Sequence, residues 1–223
     1  MGIHCLSVIT NFGCHFQCSY CITKKAELQI PKSTTEGLNN LPQAIEDYDP
    51  EIISISGSGD PMFEYDQHYD WWSKFHAFTA DMNLALHTSY AKLPQNFITD
   101  RYKMMKEGYE PYIRIVYHLH SYLAINHLTR YMDEKVRVVF VVDPTFTEEK
   151  IDTIANMVAN SNIVDELSFR QMVDKNYNKT YFCYPYLKEG HEAGAWNYIE
   201  QGDYNTYYCE NKIYKEFRKI GES

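Results

Sequence analysis

The chain has 223 residues, 44% of them hydrophobic and 23% charged, and reads as an ordinary soluble globular protein with a full core. A net charge of −9 excludes broad electrostatic attraction to nucleic acid, and no apolar run is long enough to span a membrane. The start, Met1-Gly2-Ile3-His4-Cys5, lacks the charged and apolar parts of a secretion signal, and six cysteines are too few for a disulfide framework, so a cytoplasmic, reducing setting is expected.

Strand and helix patterns alternate through most of the length. Residues 3–10 read as a first buried strand, with Cys5 a core thiol, and feed the loop Gly13-Cys14-His15-Phe16-Gln17-Cys18-Ser19-Tyr20-Cys21. Leu38, Leu41, Ala44 and Ile45 form a helical stripe that Pro42 should kink or restart. Residues 51–56 are a second strand, stopped by Gly57-Ser58-Gly59-Asp60-Pro61, and a helix is expected around Trp72, Phe75 and Phe78. A third strand spans 82–88, and Pro94 opens a helix towards Lys106. A fourth strand covers 112–118, with a helix expected from Ser121 to Met132. The run 136–142 is almost wholly apolar, as a strand covered on both faces requires. Thr147 caps the next helix, whose Ile151, Ile154, Ala155 and Val158 share one face, and 166–172 is a sixth strand.

Six such units in strict alternation predict a parallel sheet with helices outside. A complete eight-unit barrel needs roughly 250 residues, so a partial (β/α)6 TIM-like barrel over residues 1–175 is the economical α/β architecture. From Asn176 the alternation stops. Residues 176–223 read as a short aromatic-rich extension packing on the barrel, with a short helix near Lys212 to Lys219.

Cys14, Cys18 and Cys21 stand at the spacing C-x3-C-x2-C. Three thiolates are one short of a closed zinc site and are typical ligands of an iron–sulfur cluster. With the aromatic Tyr20 before the third cysteine, the loop resembles the hallmark of the radical S-adenosylmethionine (radical SAM) superfamily, in a minimal single-domain form. That resemblance implies a partial barrel carrying a 4Fe–4S cluster on Cys14, Cys18 and Cys21, with S-adenosylmethionine on its fourth iron. It also implies reductive cleavage of that cofactor to a 5′-deoxyadenosyl radical that takes hydrogen from a bound substrate, fed by a flavodoxin- or ferredoxin-type donor. Ser56-Gly57-Ser58-Gly59-Asp60 stands where the family has a glycine-rich motif for the cofactor's amino group, with serine in place of one glycine and aspartate in place of glutamate. By the same resemblance Thr88 and Ser89 face the cofactor's ribose or carboxylate, Arg114 pairs with its carboxylate, and Val142 and Tyr20 pack on its adenine.

His118 and His120 alternate towards the barrel mouth, although structural histidines are the commoner outcome. Arg170 and Gln171 face opposite ways, and Arg170 on the substrate side implies an anionic group there. Cys183, Cys209 and His191 are too sparse for a second metal site. The small size favours a small-molecule substrate, in the manner of 7-carboxy-7-deazaguanine synthase. A glycyl-radical-enzyme activase and a peptide- or protein-modifying enzyme are the alternatives, and a non-catalytic cluster- or zinc-binding module is the rival from another class.

Overall fold

The computed structural model describes residues 4–104, 112–131, 133–200 and 205–222. Six strands follow the chain in spatial order: β1 (Cys5–Thr10), β2 (Ile52–Gly57), β3 (Leu84–Thr88), β4 (Ile113–His118), β5 (Lys135–Val142) and β6 (Glu166–Gln171). Each pairs with the next in parallel. Alternation sorts their side chains. Leu6, Val8, Ile53, Ile55, Leu84, Leu86, Ile115, Val138, Phe140 and Phe169 fall on one face and join the main apolar core. The other face carries Ser7, Ser54, Ser56, His87, Arg114, His118, Arg137 and Arg170 among apolar residues such as Val116, Val139 and Val141, so polar groups are set into the concave interior.

The helices supply the second half of the core. After a single turn, α1 (Ile22–Lys25), come α2 (Leu41–Tyr48), α3 (Tyr69–Phe78), α4 (Gln95–Met104) and α5 (Glu148–Ala159). Leu41, Trp72, Phe75, Phe97, Ile151 and Ile154, each at most 3% exposed, insert against the outward strand residues. Pro42 sits in the first turn of α2, where its missing N–H costs nothing, and restarts the helix rather than kinking it. The Thr147 hydroxyl accepts from the Lys150 N–H and caps α5.

Two expected helices are absent among the described residues. Between β4 and β5 the chain makes only a 3-10 segment, Tyr122–His127, because Ile125 is its single buried residue and Leu123 is 58% exposed. Too little apolar surface remains to hold a longer helix. Met132, the expected end, lies outside the described residues, as do Ile3 and Lys106.

The last stretch holds α6 (Tyr184–Glu192), then β7 (Asn197–Ile199), β8 (Thr206–Cys209) and β9 (Lys212–Tyr214). The helix expected near Lys212 to Lys219 is instead β9 followed by a 3-10 turn, Phe217–Lys219. Glu210 and Asn211 both take positive φ, +46° and +64°, the backbone of a two-residue hairpin turn. Side-chain bonds hold that turn: Glu210 accepts from Thr34, and Asn211 Oδ1 accepts from the Asn40 N–H. The extension therefore continues the sheet at both flanks, giving the order β7-β6-β5-β4-β3-β2-β1-β8-β9 with only β8–β9 antiparallel. A second apolar cluster, Ile9, Ile30, Tyr207, Cys209 and Ile220, fills the interior beside β1. What remains open is a partial (β/α)6 barrel flanked by these added strands.

Candidate active site

A cavity of about 880 Å³ opens at the C-terminal ends of the strands. Its walls include Ser7, Ser54, His87, His118, Val141 and Arg170, one from each of β1 to β6, a convergence that only a curled sheet achieves. Residues 205, 207 and 217 of the extension (Asn205, Tyr207, Phe217) complete one side.

Cys14, Cys18 and Cys21 all line this cavity and are partly exposed free thiols. The loop that carries them leaves β1 and is pinned by its own backbone. The Cys21 N–H donates to the Cys18 carbonyl at 3.1 Å, the Lys25 N–H to the Cys21 carbonyl at 2.9 Å, and Lys24 Nζ to the Phe16 carbonyl at 3.0 Å. Burial pushes the Cys18 thiol up to about 11, with Cys21 and Cys14 adding to the rise, and burial raises Cys14 as well. A thiolate at such a site is stabilised when a metal takes it as a ligand. Among the described residues no group of three or more His, Cys, Asp or Glu is gathered to hold a single ion. The donor set is soft and thiol-based, and it fits a cluster whose irons take one thiolate each.

The β2 end packs directly on this loop. The Ser58 N–H donates to the Thr10 carbonyl and the Asp60 N–H to the Gly13 carbonyl, each at 2.9 Å. A Cβ on Gly57 would lie 2.0 Å from the Thr10 oxygen, and one on Gly59 2.3 Å from the Gly13 oxygen, so glycine is what lets the two backbones meet. Ser56, Gly57, Ser58, Gly59 and Asp60 line the cavity beside the cysteines. Asp60, 3% exposed, accepts from the Met62 N–H, the Thr88 hydroxyl (2.7 Å) and the Ser89 N–H (2.6 Å). Burial raises its pKa, against the pull of those three donors. Its carboxylate thus locks the β2 end to the β3 end. Thr88 and Ser89 line the cavity too, with the Thr88 hydroxyl committed to Asp60 and to the Tyr90 N–H.

Two expectations need correcting. Arg114 does not reach the cavity: it sits near the start of β4 and pairs with Glu166 at 3.3 Å, with Tyr112 beneath it. Val142 faces outward into the main core at 0% exposure, and its neighbour Val141 is the one that lines the cavity. Arg170 lies on the cavity wall, as does Gln171, whose amide donates to the Phe182 carbonyl. His118 sits 3.0 Å from His87, ring nitrogen to ring nitrogen. His120 lies beside the cysteine loop, with Tyr20 Oη 2.6 Å from its Nδ1 and Cys18 Sγ 3.6 Å from its Nε2. Tyr20 itself lines the cavity.

The interior serines Ser7 and Ser54 and the late Asn205 are further wall residues that motif reasoning missed. The serines had a signal: each interrupts an apolar strand at an inward position. Asn205, whose amide donates to Ser7 Oγ at 2.8 Å, had none. Cys183 and Cys209 do not line the cavity; Cys183 donates to the Phe146 carbonyl, and Cys209 is buried with its pKa pushed up to about 12 by desolvation.

No family model matches the chain, and no curated protein matches it. Among solved structures it is similar to SuiB of Streptococcus suis in two crystal structures, one bound to the precursor peptide SuiA and one bound to S-adenosylmethionine. Each likeness has a TM-score of 0.66 at 12% identity and covers 98% of this chain. The chain spans about three fifths of those structures, 60% and 59%. At that identity the likeness is one of fold, and it agrees with the partial barrel read from the strand alternation.

Proposed function

We propose that this chain is a radical S-adenosylmethionine enzyme acting on a peptide substrate. The observation that carries the reading is that the three-thiol loop and the glycine run of β2, distant in sequence, are hydrogen-bonded to each other on the wall of one cavity. The fold likeness to a protein crystallised with S-adenosylmethionine supports the cofactor. That protein's complex with a precursor peptide favours a peptide over the small molecule expected from size alone.

On this reading Cys14, Cys18 and Cys21 hold a 4Fe–4S cluster. The backbone of Ser56 to Gly59, closely approachable at the glycines, takes the ammonium end of S-adenosylmethionine. Bound there together, cluster and cofactor supply one-electron reduction and a carbon-centred radical for hydrogen abstraction. The protein's own work is positional. Asp60 fixes the β2 and β3 ends relative to each other, Val141 and Tyr20 offer apolar surface for an adenine, and the second apolar cluster beside β1 keeps water from that side. A flavodoxin- or ferredoxin-type donor supplies the electron, and a reducing, cytoplasmic setting suits the thiols.

The test is anaerobic reconstitution with iron and sulfide, followed by dithionite and S-adenosylmethionine. The wild-type chain should bind iron, turn brown and form 5′-deoxyadenosine, and Cys18→Ala should lose both colour and product. Zinc uptake without iron would instead identify a zinc-binding interaction module. A cluster that forms without any 5′-deoxyadenosine would identify a non-catalytic one.

A further inference from the structure

Each sulfur of the cysteine loop faces a hydrogen-bonding group, and the three groups differ in origin. Cys14 Sγ accepts from the Phe16 N–H at 3.4 Å, and Cys21 Sγ lies 3.0 Å from the Thr23 hydroxyl. Both of those groups stand two residues along the chain from their cysteine. Cys18 Sγ instead meets Nε2 of His120 at 3.6 Å, a contact that spans 102 residues.

The sheet fixes that imidazole from outside the loop. Leu119, 3% exposed, is anchored in the main core, and its N–H donates to the Val139 carbonyl of β5 at 3.0 Å. Ser121, on the other side, caps the next 3-10 segment by accepting from the Leu123 N–H. His120 stands exposed between these two anchors, its ring packed on Phe16 and Tyr20 with centroids 4.4 and 5.7 Å away. Tyr20 Oη is 2.6 Å from its Nδ1. A neutral imidazole carries one N–H and one bare nitrogen. A thiolate bound to a metal has no proton and accepts only, so its contact with Nε2 is favourable when that nitrogen carries the hydrogen. Nδ1 is then bare and takes the Tyr20 hydroxyl as its donor. One tautomer satisfies both contacts, whereas the other sets the Nε2 lone pair against the sulfur.

We propose that His120 is a positioning residue that donates its Nε2–H to Cys18 Sγ, with Tyr20 holding the tautomer, and that this bond raises the reduction potential of the cluster. The cluster itself rests on the function proposed above. Reduction adds one electron, supplied by the flavodoxin- or ferredoxin-type donor, and transfers no atom. Part of the added negative charge falls on the thiolate sulfurs, so a hydrogen-bond donor there stabilises the reduced form more than the oxidised one. His120 thereby ties the ease of electron entry to the end of β4.

The test is a redox titration, followed by electron paramagnetic resonance, of the full chain reconstituted anaerobically with iron and sulfide. His120→Phe keeps a ring against Phe16 and Tyr20 but has no donor. It should lower the reduction constant about tenfold, which for a one-electron couple is a shift of ~59 mV to more negative potential. Tyr20→Phe should shift the potential the same way by less, and His120→Gln, whose amide can donate, should recover part of the loss. Iron content should match wild type in all three, with far-UV circular dichroism confirming the fold. A potential in His120→Phe equal to or above that of wild type overturns the proposal. A folded His120→Phe chain that binds less iron overturns it too, because the imidazole would then hold metal or shape the loop. A wild-type chain that takes up no iron removes this proposal and the proposed function together. A cluster whose potential falls in His120→Phe, in a chain that never forms 5′-deoxyadenosine, leaves the hydrogen bond standing and removes only the proposed function.

Discussion

His76 is wholly buried in α3, between Trp72 and Phe97, and among the described residues neither of its ring nitrogens has a hydrogen-bond partner. Desolvation, with Arg101 adding to it, lowers its pKa to about 3. An unfolded histidine takes up its proton near pH 6.5, so below that pH the unfolded chain binds a proton that the folded chain refuses. Stability therefore falls as pH drops from about 6.5 towards 3, by about 1.4 kcal/mol per pH unit for each such histidine. His118 and His87 act in the same direction. Replacing His76 by leucine should stabilise the protein at pH 7 by roughly 1–2 kcal/mol, since two unpaired polar atoms leave the core. It should also flatten the acid slope by one histidine's worth, a result that urea unfolding at several pH values would reveal. The residue scale is also where sequence reading erred most instructively. Arg114 and Arg170 share an inward parity, but depth along the barrel decides which one reaches the cavity, and depth depends on strand register. Val141 and Val142 differ in parity alone, and that difference turns one to the cavity and its neighbour to the core.

At the scale of elements, the meeting of β1 and β2 is what assembles the site. Gly59→Ala would drive a methyl group to 2.3 Å from the Gly13 carbonyl, so one of the two loops must move. The expected outcome is a loss of about 1–3 kcal/mol in stability together with reduced iron retention after reconstitution, read by denaturant unfolding and iron analysis on the same preparation. An alanine variant that keeps full iron and full stability would contradict the tight junction. The cysteine loop and the glycine run were legible because local sequence specifies them: closely spaced thiols in one, chain-reversing glycines in the other. Strands β1 to β6 were legible for a related reason, since apolar residues recur at every second position against the helices. The 121–132 helix misled because Tyr122, Leu123 and Ile125 look apolar in sequence, yet only Ile125 finds a core to enter.

At the scale of the whole molecule, the extension is part of the sheet. Thr206 to Cys209 are all buried, and Tyr208, at 1% exposure, belongs to the main core, with its hydroxyl donating to the Gly37 carbonyl at 2.8 Å. A chain stopped after residue 200 strips β1 of its outer neighbour and opens the second apolar cluster. That truncated chain should lose cooperative thermal unfolding by circular dichroism, whereas a sharp transition near the full-length midpoint would make the extension dispensable. Nothing local announced this arrangement. A four-residue strand whose partner lies so far away in the chain leaves no periodic trace, and the tyrosine-rich composition of the region looked like a loose covering.

The pairing of Leu6 with Thr206 has a consequence for biosynthesis. On the ribosome, β1 and the thiol loop behind it emerge early, while the segment that seals their flank follows about two hundred residues later. Through that interval the nascent chain offers its thiols at an unsealed seam. Until that later strand arrives, the outer edge of β1 stands unpaired, so the loop behind it meets solvent before its flank is closed.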